Sequence, residues 1–173
     1  MIAMDAPPAH EDCRAFVRVA HLMAEAGLNV PRVIAEDFAR GFLLLSDLGS
    51  ANYLPALNAD TADALFRDAI DALVRWQLAS KPGVLPPYDE TLLARELRLF
   101  PEWYVARHRA VTLAPAQNQA LEAVFALILE NNLAQPAVYV HRDYMPRNLM
   151  VCEKNPGVLD FQDAVYGPIT YDV

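Results

Sequence analysis

Lysine is close to absent from this chain: Lys81 and Lys154 are the only two in 173 residues. Glycine is scarce too, with six in all, and neither Gly27 nor Gly41, the first two, belongs to a loop motif. A phosphate grip made of a glycine-rich turn and a basic strand residue is therefore missing from the early part of the chain. Base is also outweighed by acid, 14 Lys and Arg against 22 Asp and Glu, for a net charge of −8. The basic residues are scattered and form no stripe, so nucleic acid is not an expected partner. The two cysteines, Cys13 and Cys152, lie far apart and match no metal or redox spacing. They are expected to be thiols of a protein in the reducing cytoplasm. No run of about 18 apolar residues exists, so no membrane span is expected. The first ten residues, MIAMDAPPAH, lack a basic stretch leading into an apolar run, so no signal peptide is expected.

What is present is globular composition, 54% apolar and 21% charged, in a length that ordinarily makes one domain. Residues 2–5 read as a strand cut short by Pro7 and Pro8. Residues 11–26 read as a helix with Phe16, Val19, Ala20 and Met23 on one face and Gly27 at its end. Val33-Ile34 and residues 42–45 flank a turn at 37–41, the pattern of an antiparallel pair. Beyond Asn58 the chain turns helical. Asp60 or Thr61 is placed to cap a helix to about residue 79, with Leu65, Ala69, Leu73 and Trp76 facing inward. Residues 91–109 follow the helical pattern with an interruption at Pro101. Residues 116–131 do so with Leu121, Val124, Phe125 and Ile128 as an expected core stripe. Strands are expected at 138–140, 149–152 and 158–161, with a turn at Asn155-Pro156-Gly157. The class is α+β: a small sheet with one helix, then a helical region carrying a β-hairpin.

Residues 138–163, VYVHRDYMPRNLMVCEKNPGVLDFQD, carry the chemistry. Asp143 follows a strand in a polar loop, where a carboxylate can take a proton from a hydroxyl. Asn148 lies five residues on, and Asp160 twelve further across the hairpin. Leu149, Met150, Val151, Val158 and Leu159 set the hairpin register, which returns Asp160 to Asn148. An amide oxygen and a carboxylate, completed by nucleotide phosphates and water, are what magnesium prefers. Phosphoryl transfer needs little else from a protein than a positioned acceptor, a proton acceptor and gathered positive charge. His141 is grouped with the catalytic residues but is expected to hold the loop through hydrogen bonds. Arg142 and Arg147 are placed either to neutralise phosphate or to pair with an acid such as Asp172.

The pattern HRDYMPRNLMV…GVLDFQDAVYGPITYDV resembles the aminoglycoside phosphotransferase and choline kinase-like superfamily, which shares the protein-kinase catalytic core. Asp160-Phe161-Gln162-Asp163 departs from the Asp-Phe-Gly of protein kinases and is similar to the small-molecule kinases. The resemblance implies a two-lobe fold, with residues 1–49 the remnant of a small β lobe and hinge, and 50–173 a mostly helical lobe. It implies ATP and Mg as cofactors, Asp143 as catalytic base, Asn148 and Asp160 as metal ligands, and Asp172 as a carboxylate bracing the loop. Asp163 is implied to support metal or substrate. Residues 42–49, FLLLSDLG, resemble the hinge, so Ser46, Asp47 and Leu48 are expected to meet adenine.

Over its whole length the chain is similar to bacterial anomeric sugar kinases acting on N-acetylmuramate and N-acetylglucosamine in peptidoglycan recycling. An amino-sugar acceptor is thereby implied. Glu96, Glu102, Trp103 and Tyr104 form a candidate acceptor cluster, although Leu97, Phe100 and Trp103 at helical spacing equally describe core. Without the phosphate grip the chain is expected to be a fragment or a truncated product, weak or inactive alone, with exposed apolar surface that favours self-association. Two further readings stay open: a kinase for an aminoglycoside or choline-like acceptor, and a non-catalytic remnant of the fold.

Overall fold

Phe42–Leu45 (β3) is the centre of a three-stranded antiparallel sheet, flanked by Ile2–Asp5 (β1) and Val33–Asp37 (β2) in the order β1-β3-β2. The computed structural model describes residues 1–9 and 11–173. Within β3 the buried side chains are Leu43 and Leu45, two apart, so alternation aims them at one face. On that face lies α1 (Cys13–Glu25). Asp12 caps it, its carboxylate accepting the N–H of Arg14 at 3.0 Å. Cys13, Phe16, Val17, Val19, Ala20 and Met23 form its buried stripe. Gly27, at φ +82°, ends it in the left-handed region that glycine enters without strain.

The chain leaves the sheet at Ser46 and enters a helical region through a short helix, α2 (Tyr53–Ala56). The following helix, α3 (Ala62–Leu78), buries Leu65, Ala69, Leu73 and Trp76 as its periodicity predicts. Its expected cap is not realised. The hydroxyl of Thr61 donates instead to the carbonyl of Ala56 at 2.7 Å and accepts the N–H of Asn58. The turn built on Asn58 takes up the group that would have capped the helix. The helix α4 (Glu90–Leu99), capped by Asp89, runs into a π-helical segment, Phe100–His108. Pro101 brings no N–H to the ladder, and the bonding widens to five residues, as in the N–H of Arg109 to the carbonyl of Tyr104 at 2.9 Å.

In α5 (Pro115–Leu133) the structure corrects the expected core stripe. Phe125 alone is buried. Val124, Leu127 and Ile128 are exposed, and Leu121 is half-buried. Apolar residues occur all around this helix, so composition did not define which face packs. The helix meets α4 and β7, and Leu129 packs against the cluster of Tyr88, Leu93, Val140 and Val165.

Two small strand pairs complete the frame. The strand β4 (Ala137–Val140) pairs antiparallel with β7 (Val165–Pro168), and β5 (Leu149–Met150) pairs with β6 (Gly157–Val158). The β5–β6 hairpin is shorter than its sequence predicts. The N–H of Val151 goes to Ala51, that of Val158 goes to Asn29, and Asp160 turns left-handed at φ +62°. The strand β7 was not anticipated from the sequence. Gly167 permits it: a Cβ there would lie 2.5 Å from the Cβ of Tyr88, whose N–H is bonded to Tyr166. One buried cluster joins the parts, from Val19 and Met23 of α1 through Tyr53, Trp76 and Tyr139 to Phe161. No helix among the described residues is long and apolar enough to cross a membrane.

The one-sided packing of α5 is checked by urea unfolding. Phe125→Ala is expected to cost about 3 kcal/mol. Leu127→Ala, on the open face, is expected to stay within about 0.5 kcal/mol of the parent. Equal losses would show that the helix packs by another face.

Candidate active site

The loop after β4 is built around His141, which is fully buried. Its Nε2 lies 3.0 Å from the carbonyl of Leu159, and its Nδ1 accepts the N–H of Asp143 at 3.2 Å. Those partners call for the neutral ring with its proton on Nε2. Burial pushes its pKa down to about 4, since a charged ring would lose its water. Asp172 completes the bracing. Its two oxygens accept the N–H groups of His141, at 2.6 Å, and Arg142, at 2.9 Å. Burial raises its pKa, and the nearby Asp143 carboxylate adds to this, against the pull of those two bonds.

Asp143 follows, half-buried, with its carbonyl held by the Nδ2 of Asn148 at 2.9 Å. The same Nδ2 lies 3.3 Å from Oδ2 of Asp160. The hairpin thus returns Asp160 to Asn148, as the spacing predicts. The Nε2 of Gln162 donates to Oδ1 of Asp160 at 2.9 Å, a contact that residue spacing does not foretell. Behind Asp160 the Phe161 ring is fully buried and lies 4.8 Å from the ring of Phe16 on α1. With its Nδ2 engaged, Asn148 keeps its amide oxygen, beside a carboxylate: two hard oxygen donors next to a loop bearing a second carboxylate.

The other candidate residues distribute unevenly. Arg142 turns its guanidinium to Glu96 on α4, Nη2 to Oε1 at 2.5 Å, and the main chain of Arg142 rather than its side chain meets Asp172. The second oxygen of Glu96 receives the hydroxyls of Tyr88 and Tyr171. Asp163 is exposed, its carbonyl accepting Nη1 of Arg142 at 3.4 Å. Glu102, Trp103 and Tyr104 lie exposed on the π-helical segment, so Trp103 is not core. Arg107 sits 3.9 Å over its ring, while Phe100, Tyr104 and His108 stack in a row. Among the described residues no hydrogen bond or ion pair links Glu102 or Trp103 to the 141–148 loop.

At the crossing from the sheet, Ser46 is paired with Arg32, the hydroxyl accepting its N–H at 2.8 Å. Asp47 accepts the N–H of Gly49 at 2.9 Å. Leu48 lies over Gly157, where an added Cβ would come within 2.9 Å of its Cδ1. The crossing therefore touches the hairpin that carries Asp160. A groove of about 370 Å³ opens between α4 and α5, with Glu96, Phe100 and Tyr171 in its wall.

The chain belongs to the phosphotransferase enzyme family, whose model matches residues 1–173. It is 56% identical over 173 residues to an N-acetylmuramate/N-acetylglucosamine kinase of Pseudomonas aeruginosa, covering all of this chain and 51% of that protein. The kinase of that name from Neisseria meningitidis is 45% identical over 177 residues, with 52% of it covered. The chain thus spans about half the length of the curated relatives it matches. Among solved structures it is similar to an aminoglycoside phosphotransferase of Streptomyces rimosus bound to ADP and streptomycin. The TM-score is 0.66 at 17% identity, over 98% of this chain and 67% of that one. An ADP-bound aminoglycoside phosphotransferase gives 0.64 at 14% identity, over 93% of this chain and 58% of that one. At such identities the likeness is one of fold, and it establishes the kinase-like architecture with a partial β lobe.

The neutral state of His141 has a consequence for stability. The folded ring ionises only near pH 4, against 6.5 for the ordinary group. Above the upper value both states are neutral and the contribution is complete. Below it the unfolded chain binds a proton that the folded chain refuses, so stability falls until about pH 4 and then levels. That difference amounts to about 3 kcal/mol. Urea midpoints between pH 7 and pH 4 should fall more steeply for the parent than for His141→Gln. Parallel curves would show that His141 is not held neutral.

Proposed function

We propose that the chain forms the nucleotide- and metal-handling part of an ATP-dependent kinase for a small amino sugar. The acceptor is the anomeric C1 hydroxyl of N-acetylmuramate or N-acetylglucosamine. The observation that carries this reading is the linkage of Asp143, Asn148 and Asp160 through one amide group. The acceptor class is supported by the names of relatives covering the whole chain.

In this reading Asp143 takes the proton of the acceptor hydroxyl as it attacks. Asn148, through its oxygen, and Asp160 hold the cation. Among the described residues no group of three or more His, Cys, Asp or Glu gathers as a metal cage. Two protein oxygens beside open space suit magnesium carried on a nucleotide, which keeps phosphate and water as its other ligands. When bound, magnesium supplies positive charge to the transferring phosphoryl group. Gln162 orients Asp160, and Asp172 with His141 orients the loop. Adenine is placed against the main chain at Ser46, Asp47 and Leu48, where residues 1–49 pass into 50–173 as the proposed lobe division. Glu102, Trp103 and Asp163 are exposed and free to meet the acceptor. A cytoplasmic role in peptidoglycan recycling follows from the acceptor.

Because no glycine-rich loop or lysine precedes the crossing, the chain alone is expected to turn over slowly or not at all. Labelled ATP, magnesium and a panel of amino sugars, an aminoglycoside and choline test the reading in the full-length protein. Phosphorylation of the amino sugars is expected, and exclusive use of another acceptor would overturn the acceptor class. Asp143→Asn should lower kcat by about 10²- to 10⁴-fold while nucleotide still binds. Asp160→Asn should remove the magnesium dependence of that binding. Absence of magnesium-dependent nucleotide binding in the parent would leave only a non-catalytic fold. The exposed apolar residues Phe66, Ile70 and Val74 on α3 also favour self-association of the isolated chain. Sedimentation is expected to show a mass rising with concentration.

A further inference from the structure

Arg142 stands at φ +79°, in a region that side-chain-bearing residues seldom enter. It immediately precedes Asp143, so its backbone sets the direction in which that carboxylate leaves the loop. Three contacts hold it. Its N–H donates to Oδ1 of Asp172 at 2.9 Å, Nη2 donates to Oε1 of Glu96 at 2.5 Å, and Nη1 reaches the carbonyl of Asp163 at 3.4 Å. The guanidinium also lies 5.7 Å from the Tyr88 ring centre. Both partners of the ion pair are largely buried, each with 22% of its side chain exposed. The contact is thus better shielded from water than the surface pairs elsewhere in the chain.

Both oxygens of Glu96 are already engaged within the fold. One is bonded to Arg142, the other to the hydroxyls of Tyr88 and Tyr171. Tyr88 is in turn fixed by its N–H bond to the carbonyl of Tyr166, at 2.8 Å, and by its close approach to Gly167. Glu96 therefore sits on a rigid mount and presents a fixed acceptor to Arg142. Among the described residues the Nε of Arg142 is buried without a partner, so loss of Glu96 would leave the guanidinium there with the long bond to Asp163.

We propose that Glu96 is a positioning residue: through Arg142 it holds the left-handed turn that aims Asp143, and it does not touch the acceptor. The inference rests on the kinase reading above for its consequence in rate, and on the geometry alone for its consequence in loop order. In the full-length protein, Glu96→Gln and Arg142→Met are each expected to lower kcat about tenfold or more, with the acceptor KM within about twofold of the parent. The double variant should be no slower than the slower single, because the two residues act as one unit. Glu96→Asp should recover part of the loss. A rise in KM with kcat retained, or additive losses, would overturn the proposal.

If the parent phosphorylates no acceptor, the kinase reading fails, and amide hydrogen exchange decides the positioning role by itself. The N–H groups of His141 and Arg142 should exchange about tenfold faster in Glu96→Gln, with those of β3 unchanged. Unchanged exchange at the loop, or faster exchange everywhere, would remove the positioning role.

Discussion

The neutral His141 ring is the joint on which the site turns. Its Nε2–H goes to Leu159, the residue before Asp160, while its Nδ1 receives the N–H of Asp143. One enclosed side chain thus fixes the spacing between the two acidic residues whose separation matters. It can do so because it is wholly out of water, where a ring nitrogen without its partner would cost about 1–3 kcal/mol. Asp172 fastens the same loop from the other side by taking the main-chain N–H groups of His141 and Arg142. Shifting one of these contacts disturbs the others, since all converge on residues 141–143.

That arrangement carries local strain. Arg142 and Asp160 both stand in left-handed backbone conformations, each of which costs about 1 kcal/mol or more. The surroundings offset it. Phe161, directly after Asp160, is locked against Phe16 of α1, and Arg142 is anchored to Glu96. Helix α1 belongs to the sheet side of the molecule, so the packing of Phe16 ties the geometry at Asp160 to the β1–β3 sheet. Helix α4 does the same for the loop at Arg142. The two positions are steadied by elements distant in sequence, which is how a polar loop becomes rigid enough to hold side chains in register.

The loop and hairpin were legible in the sequence because their constraints are local. The spacing from Asp143 to Asn148 to Asp160, with apolar residues between, leaves few ways to fold back other than a hairpin. Helices α1 and α3 were legible because apolar residues recur on one face only. Helix α5 was not, because Val124, Leu127 and Ile128 sit beside Phe125 with equal hydrophobicity, and only the neighbouring element chooses between them. The hairpin strands were read too long for a similar reason. Val151 has strand propensity, but Ala51 claims its N–H group, and Asp160 turns left-handed just past β6. The Glu96 pair was hidden because nothing near either residue in the chain marks it: 46 positions separate the partners.

The sequence by itself determined the spacing that returns Asp160 to Asn148 and the helices whose apolar faces are one-sided, since short-range spacing and periodicity act within a few residues. Tertiary structure alone decided that Arg142 turns to Glu96, that Gln162 holds Asp160, and that Val165–Pro168 becomes a strand beside β4. Each of these depends on a partner brought close only when the chain is folded. An ion pair, a hydrogen bond or a strand edge leaves no signal in the residues that form it until they meet.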